Sequence, residues 1–418
     1  MRQTSFPGQE PASSFAPPPT DQDRWKVLSL MAVAILLILT TWFSATAVLP
    51  QLTRRLALGD TGRVWLTISV QLGFVAGALC SAFLGWADRY AGRHLILAGA
   101  VAAAMVNLSV LWMDAAAAVI AARLLTGFSL AIVYPPAMKL ISTWFQAQRG
   151  VALGIVIAAI TVGSATPHLV NGLGGLSWEV VVITTSVCAL TGGLLVAGFV
   201  REGPWPYPSH PFQPRAALHC FTQPAVFWVT MGYLGHMWEL YAMWAWFAVF
   251  YQYVLDQAGV GNSAVLASFA TFAVIGIGGL GCVLAGVTSD RYGRSTTAFW
   301  ALIVSGLMAA VIGLATPYPT LVLVLALVWG ISIVADSAQF SALLTEVARR
   351  EYVGSVLTLQ VALGYLLTVP IIWVIPMFVR QWGWEWAFLV LSAGSLAGAY
   401  AMRRTHALTS RPGAAGTP

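Results

Sequence analysis

Four residues of this sequence stand where charge is expensive: Arg123, His236, Glu239 and Asp336 each interrupt a long apolar run. An ionisable side chain at membrane depth is rare, and it marks a substrate path, an ion path or a paired structural charge. His236 and Glu239 lie three residues apart within Tyr233-Leu-Gly-His236-Met-Trp-Glu239-Leu-Tyr241, so they share one face of a helix. A carboxyl withdrawn from water holds a proton more readily, and an imidazole titrates near neutrality. The pair is therefore a candidate proton relay, and Asp336, followed by Ser337 and Gln339, is a third candidate coupling group. The competing reading is a satisfied structural pair bonded between helices. Arg123 does not lose its proton, which makes it the candidate for holding an anionic substrate or for pairing with Asp336. Tyr241 and Trp42 complete the candidate substrate contacts, since aromatic walls suit an organic solute. Trp42, Trp238, Trp244 and Trp246 all fall deep in their runs, and packing is the commoner use of such rings. Lys139, after Pro135-Pro136, reads as snorkelling to an interface, and His168 as lying near the surface opposite the termini.

The elements that must position these residues follow from composition. Of 418 residues 58% are apolar and 9% charged, against about 45–50% and about 25% in soluble domains, which excludes a water-soluble fold. Apolar runs occur at 27–49, 64–86, 94–113, 115–140, 151–171, 179–200, 225–254, 264–287, 296–316, 320–345, 352–379 and 385–402. Each reaches the length of about 20 residues that a bilayer-crossing helix needs. The expectation is an all-α membrane protein of twelve transmembrane helices. Residues 1–24 and 405–418 read as disordered tails, and the Pro-rich segment 201–224 as a linker between six-helix halves at 25–200 and 225–404. Of the 21 Lys and Arg, fifteen fall on the side of the termini, four (Arg54, Arg55, Arg63, Arg380) on the other, and two within the fourth run. That bias predicts cytoplasmic termini of a multi-pass protein in the cell membrane. The net charge of +6 then reports topology rather than nucleic-acid binding. Cys80, Cys188, Cys220 and Cys282 are far apart, with no spacing for a metal or a redox dithiol. Neither metal nor cofactor is expected.

An internal repeat is visible at nearly one offset. Asp88-Arg89 recurs as Asp290-Arg291 after 202 residues, Gly150 as Gly354 after 204, and Trp178-Glu179 as Trp384-Glu385 after 206. An offset of six helices relates two halves of the same orientation, a pattern of secondary transporters.

The segment Gly286-Val-Thr-Ser-Asp290-Arg291-Tyr-Gly293-Arg294 resembles the loop signature of the major facilitator superfamily. The first copy, Asp88-Arg89-Tyr90-Ala91-Gly92-Arg93, carries one extra residue and has Leu84 where that signature has its first Gly. The resemblance covers nearly the whole chain. It implies two pseudo-symmetric six-helix bundles, alternating access about a midplane site lined by spans four, seven and ten among others, and a cytoplasmic gate from Asp88, Arg89, Arg93, Asp290, Arg291 and Arg294. The competing reading of those charges is topogenic, on solvated turns. Nitrate porters and monocarboxylate types of the superfamily are similar in hydropathy, but their basic residues in spans two, eight and eleven are missing here. Arg123-Leu-Leu-Thr-Gly127 resembles the fourth span of drug and metabolite antiporters. The function expected is a proton-coupled carrier of a small organic anion or metabolite, with proton-driven drug or metabolite efflux as the alternative, in a monomer without nucleic-acid partners. A membrane enzyme is disfavoured because no HExxH, paired-Asp or phosphate-binding loop occurs. A channel or a non-transporting sensor remains the other class, distinguished by whether flux saturates and can be driven uphill.

Overall fold

A computed structural model describes residues 21–145, 148–173, 177–205, 212–349 and 351–410. Twelve helical spans run back and forth through it: Asp21–Leu39, Asp60–Leu84, Gly92–Trp112, Ala116–Ser142, Gly150–Leu173, Trp178–Phe199, Pro224–Gln257, Ser263–Tyr292, Arg294–Ala315, Pro319–Val347, Val353–Trp382 and Leu389–Thr409. Among the described residues nine of these are long and apolar enough to cross a membrane on those criteria alone. The first and twelfth fall outside because of Asp23, Arg24 and Lys26 and of Arg403 and Arg404, and the seventh because its Trp and Tyr residues, with His236 and Glu239, lower its mean hydropathy. The end of the bundle carrying the termini is called the near end here, and the opposite end the far end.

The repeat seen in the loops is also built into the packing. A Cβ on Gly127 of span four would stand 2.0 Å from the Val70 carbonyl oxygen of span two, and a Cβ on Gly330 of span ten would stand 1.9 Å from the Val274 carbonyl oxygen of span eight. Gly330 follows Gly127 by 203 residues and Val274 follows Val70 by 204. Only glycine lets two helix backbones touch in this way. Spans four and ten also break at matching places, at Ile132–Val133 and at Asp336. Between the halves, spans two and eleven meet through Trp65 and Trp373 and through Phe74 and Tyr365, and spans five and eight through Gly172 and Phe269.

The two signature loops differ as their sequences do. Gly293 opens span nine at φ 86°, a conformation that favours glycine, whereas Ala91 opens span three at φ −60°. Helix extends into both segments expected as tails, over residues 21–24 and 405–409. Span one begins at Asp21, where Arg24 lies 5.6 Å above the Phe145 ring and Trp25 packs edge-on against the same ring. Span twelve continues to Thr409 because Met402 and Thr405 remain buried and His406 Nδ1 lies 3.3 Å from Ser295 Oγ. Residues 1–20 and 411–418 lie outside the description. The linker contains a short helix, Pro214–Cys220, and is tied to both halves. The Gly203 amide donates to Thr143 Oγ1 and the Gln213 amide to Ser355 Oγ.

Candidate functional site

A cavity lies between the halves, lined by Trp42, Phe74, Thr161, Ser164, Tyr134, Tyr233, His236, Tyr241, Trp244, Ser337, Ser341 and Tyr365 among others. Its far-end floor is aromatic. The ring of Tyr365 lies 4.4 Å from Phe74, 5.1 Å from Tyr241 and 5.5 Å from Trp42, and the Tyr241 and Tyr365 hydroxyls are 2.7 Å apart. Trp42 reaches the cavity because span one ends at Leu39 and the chain turns through 40–43 before a short helix, Ser44–Ala47. The space open to water-sized spheres is about 70 Å³, well below the roughly 300–1,000 Å³ of ligand pockets. The walls must separate before an organic molecule can enter.

One titratable unit faces this space. His236 Nδ1 lies 2.8 Å from Asp336 Oδ1, and His236 Nε2 lies 3.1 Å from Ser337 Oγ. With Asp336 ionised, Nδ1 carries the hydrogen and Nε2 accepts from the serine. A proton added at Nε2 reverses that bond, so that the imidazolium donates and Ser337 accepts. Asp336 is placed by the break in span ten, which turns its side chain toward span seven. The partner of His236 is thus Asp336 rather than Glu239.

Glu239 faces the interior of the second half. Its Oε1 accepts from Trp329 Nε1 and its Oε2 from Ser305 Oγ at 2.9 Å and from Ser395 Oγ, which joins spans seven, nine, ten and twelve. It is fully buried and does not line the cavity, so the expected relay with His236 and contact with substrate are both corrected. The three-residue step leaves the two side chains about 60° apart around the helix, and the cavity edge falls between them.

Arg123 is also fully buried and off the cavity. Its guanidinium donates to Ser44 Oγ at 3.0 Å, to Asn107 Oδ1 at 3.1 Å, to the Thr41 carbonyl at 3.1 Å and to the Trp42 carbonyl. Asn107 in turn donates to Thr185 Oγ1 and Ser186 Oγ of span six. Arg123 therefore staples the break in span one, neither holding a substrate anion nor pairing with Asp336. It acts on the site only through Trp42, whose backbone it fixes.

The expected gate is not assembled in this conformation. Arg89, Asp290 and Arg291 are exposed and Arg93 is half-buried, and none of the four makes an ion pair with a described residue. The Asp88 side chain lies outside the description. Arg294 pairs with Glu346 at 2.8 Å, which is within the second half. The ion pair that does cross between the halves is at the far end, Asp60 to Arg380 at 2.7 Å. His168, expected near a surface, is 1% exposed. Trp238 and Trp246 donate to the carbonyls of Val390 and Ile372, in packing roles. Sequence reasoning missed Phe74, Tyr134, Tyr233, Tyr365 and Ser337, whose types are too common in apolar runs to stand out.

Residues 31–370 match the Major Facilitator Superfamily. The chain belongs to that superfamily. Membership of that superfamily indicates a transporter. It is 28% identical over 253 residues to the MFS transporter asaE of Aspergillus flavus, a match covering 58% of this chain and about half, 54%, of that protein. It is 23% identical over 376 residues to the agnestins efflux protein of Paecilomyces divaricatus, covering 87% of this chain and 82% of the relative. Over 165 residues it is 29% identical to the puromycin resistance protein of Streptomyces alboniger, covering 39% and 32%. Its fold is similar to a bacterial homologue of the human lysosomal transporter Spinster in an inward-facing, unoccupied conformation, with a TM-score of 0.65, 14% identity, and 93% and 96% of the two chains covered.

Proposed function

We propose that this transporter exports a small aromatic organic metabolite in exchange for protons, with its termini in the cytoplasm and its halves, 25–200 and 225–404, rocking about the cavity. The observation that carries the reading is the His236–Asp336–Ser337 unit in the wall of a cavity with an aromatic floor. A proton taken there changes the charge of the wall, and no Asp, Glu, Lys or Arg among the lining residues offsets it. Among the described residues no Lys or Arg lines the cavity, and the Arg123 NH groups are bound to span one and Asn107, so the organic-anion reading loses its cation. The efflux alternative gains support from two relatives whose names describe efflux and drug resistance.

The test is a proteoliposome assay with puromycin and malate as probes across a pH gradient. Acid-interior vesicles should accumulate puromycin saturably and above equilibrium, while malate is excluded. Asp336→Asn should abolish the gradient-driven accumulation and leave downhill exchange of puromycin measurable. Gradient-driven accumulation of malate instead of puromycin, or unaltered pH coupling in Asp336→Asn, refutes the proposal.

A further inference from the structure

In the aromatic floor and behind it, on the far-end side, are buried polar atoms that have no role in the His236–Asp336–Ser337 unit. On span five Ile157, Ile160, Thr161 and Ser164 line the cavity. His168 follows Ser164 by four residues, so it continues the same stripe one turn, about 6 Å, toward the far end. On span two Phe74 lines the cavity, and Gln71 precedes it by three residues, which is again one turn toward the far end. His168 and Gln71 are 1% and 0% exposed. Both ring nitrogens of His168, both amide atoms of Gln71 and the indole Nε1 of Trp42 and of Trp244 are buried with no hydrogen-bond partner among the described residues.

Buried polar atoms left unpaired are rare and destabilising, and six of them occur here at the rim and back of one cavity. Just beyond them the far end is sealed by groups that do find partners. Asn171 donates to the Ala47 carbonyl and to Ser268 Oγ, Thr46 bonds Thr67, and Asp60 pairs with Arg380. The unpaired layer thus lies between the packed aromatic floor and a far mouth closed by those bonds, on the continuation of the cavity. No ion pair or ring contact ties His168 to a group on spans one, seven or eight.

We propose that Gln71, His168, Trp42 and Trp244 form a second binding layer of the path, closed off in this conformation and engaged when the far mouth opens. With a neutral imidazole the layer offers five N–H donors against two acceptors and no formal charge. It suits the acceptor oxygens of an uncharged polar cargo, such as carbonyl, ester or quinone oxygens, together with the water that accompanies them. The inference rests on the alternating-access reading above.

The test uses the full-length protein in proteoliposomes and diethylpyrocarbonate as an imidazole-modifying probe, read peptide by peptide by mass spectrometry. Exposed His94 serves as the reference site, and amide hydrogen exchange over 60–66 reports whether the far mouth has opened. His168 should be modified slowly in the wild type and up to about fivefold faster in Asp60→Asn and in Arg380→Gln, the factor expected from loosening one exposed ion pair. Opening at 60–66 without faster modification of His168 overturns the layer. Modification of wild-type His168 at the rate of His94 shows a permanently wet layer and also overturns it. A far mouth that opens in neither variant overturns the alternating-access reading beneath it. For the binding role, Gln71→Leu should raise the KM for puromycin presented at the far face more than threefold and leave the near-face KM within twofold. Equal changes at both faces, or none, refute that role.

Discussion

Replacing Glu239 by glutamine separates a structural carboxylate from a coupling one. In the wild type Oε1 accepts from Trp329 Nε1, and Oε2 accepts from Ser305 and Ser395. In Glu239→Gln the amide oxygen takes the place of Oε1, and the amide nitrogen faces the two hydroxyls. Both serines can then accept, because Ser305 has the Leu302 carbonyl at 3.3 Å and Ser395 the Leu391 carbonyl at 3.4 Å to donate to. Every partner stays satisfied. What is lost is the charge-assisted part of three bonds, about 1 kcal/mol each. What is recovered is the desolvation of a buried charge, several kcal/mol for an ion without a counterion. The two nearly cancel, so Glu239→Gln should unfold within about 2 kcal/mol of wild type or be more stable. Glu239→Leu leaves the Trp329 N–H unpaired and should cost about 1–3 kcal/mol more than the glutamine variant. The assay is unfolding of the detergent-solubilised protein, paired with puromycin exchange across a pH gradient. Because Glu239 is off the cavity, the glutamine variant should keep its pH dependence. A glutamine variant that folds but transports independently of pH would return Glu239 to the coupling path and refute the reasoning.

Arg123→Met should destabilise by a few kcal/mol, since the single Ser44 hydroxyl proton serves either Thr41 O or Asn107 Oδ1, and the other acceptor and the Trp42 carbonyl lose their donor; its transport should fall while KM for puromycin stays nearly constant, as kinetics at saturation will show. Asp60→Asn should shift the balance toward a far-open form by about 1.4- to 5-fold, the worth of an ion pair whose side chains are 57% and 60% exposed. Molar salt should erase that difference, as amide exchange over 60–66 would report. Gly127→Ala and Gly330→Ala should each destabilise by at least about 1–3 kcal/mol, and equally, because the added carbon meets a carbonyl oxygen of the neighbouring span in both halves. Unfolding midpoints of the two variants check this.

Depth along a span was legible in the sequence, and facing around it was not. Trp42, Tyr241, His236 and Asp336 stand out because polar or large groups in apolar runs are conspicuous, and they do converge on the cavity or its wall. Arg123 and Glu239 are equally conspicuous and lie at similar depth, yet both turn away. Which face of a helix meets the cavity depends on which neighbours approach it closest, as at Gly127 against Val70 and at Gly235 against Gly394 and Gly398, and those approaches are not local in sequence. The signature loops announced charge at the near end but not its pairing. Pairing depends on the conformation adopted, and here the inter-half pair formed at Asp60 and Arg380. The repeat was legible because loop residues and small packing residues both keep the offset.

The aromatic floor has an electrical meaning besides a steric one. A membrane potential of 100 mV is worth about 2.3 kcal/mol for each elementary charge that crosses it, and it acts on every copy of a carrier at every moment, whether or not cargo is present. The rings of Trp42, Phe74, Tyr241 and Tyr365 pack with centroids 4.4–5.8 Å apart, an apolar barrier between the cavity and the far mouth. Such a barrier acts as an insulator in series with the cavity, and a variant that thins it, such as Phe74→Ala, should show a raised proton leak in proteoliposomes without cargo.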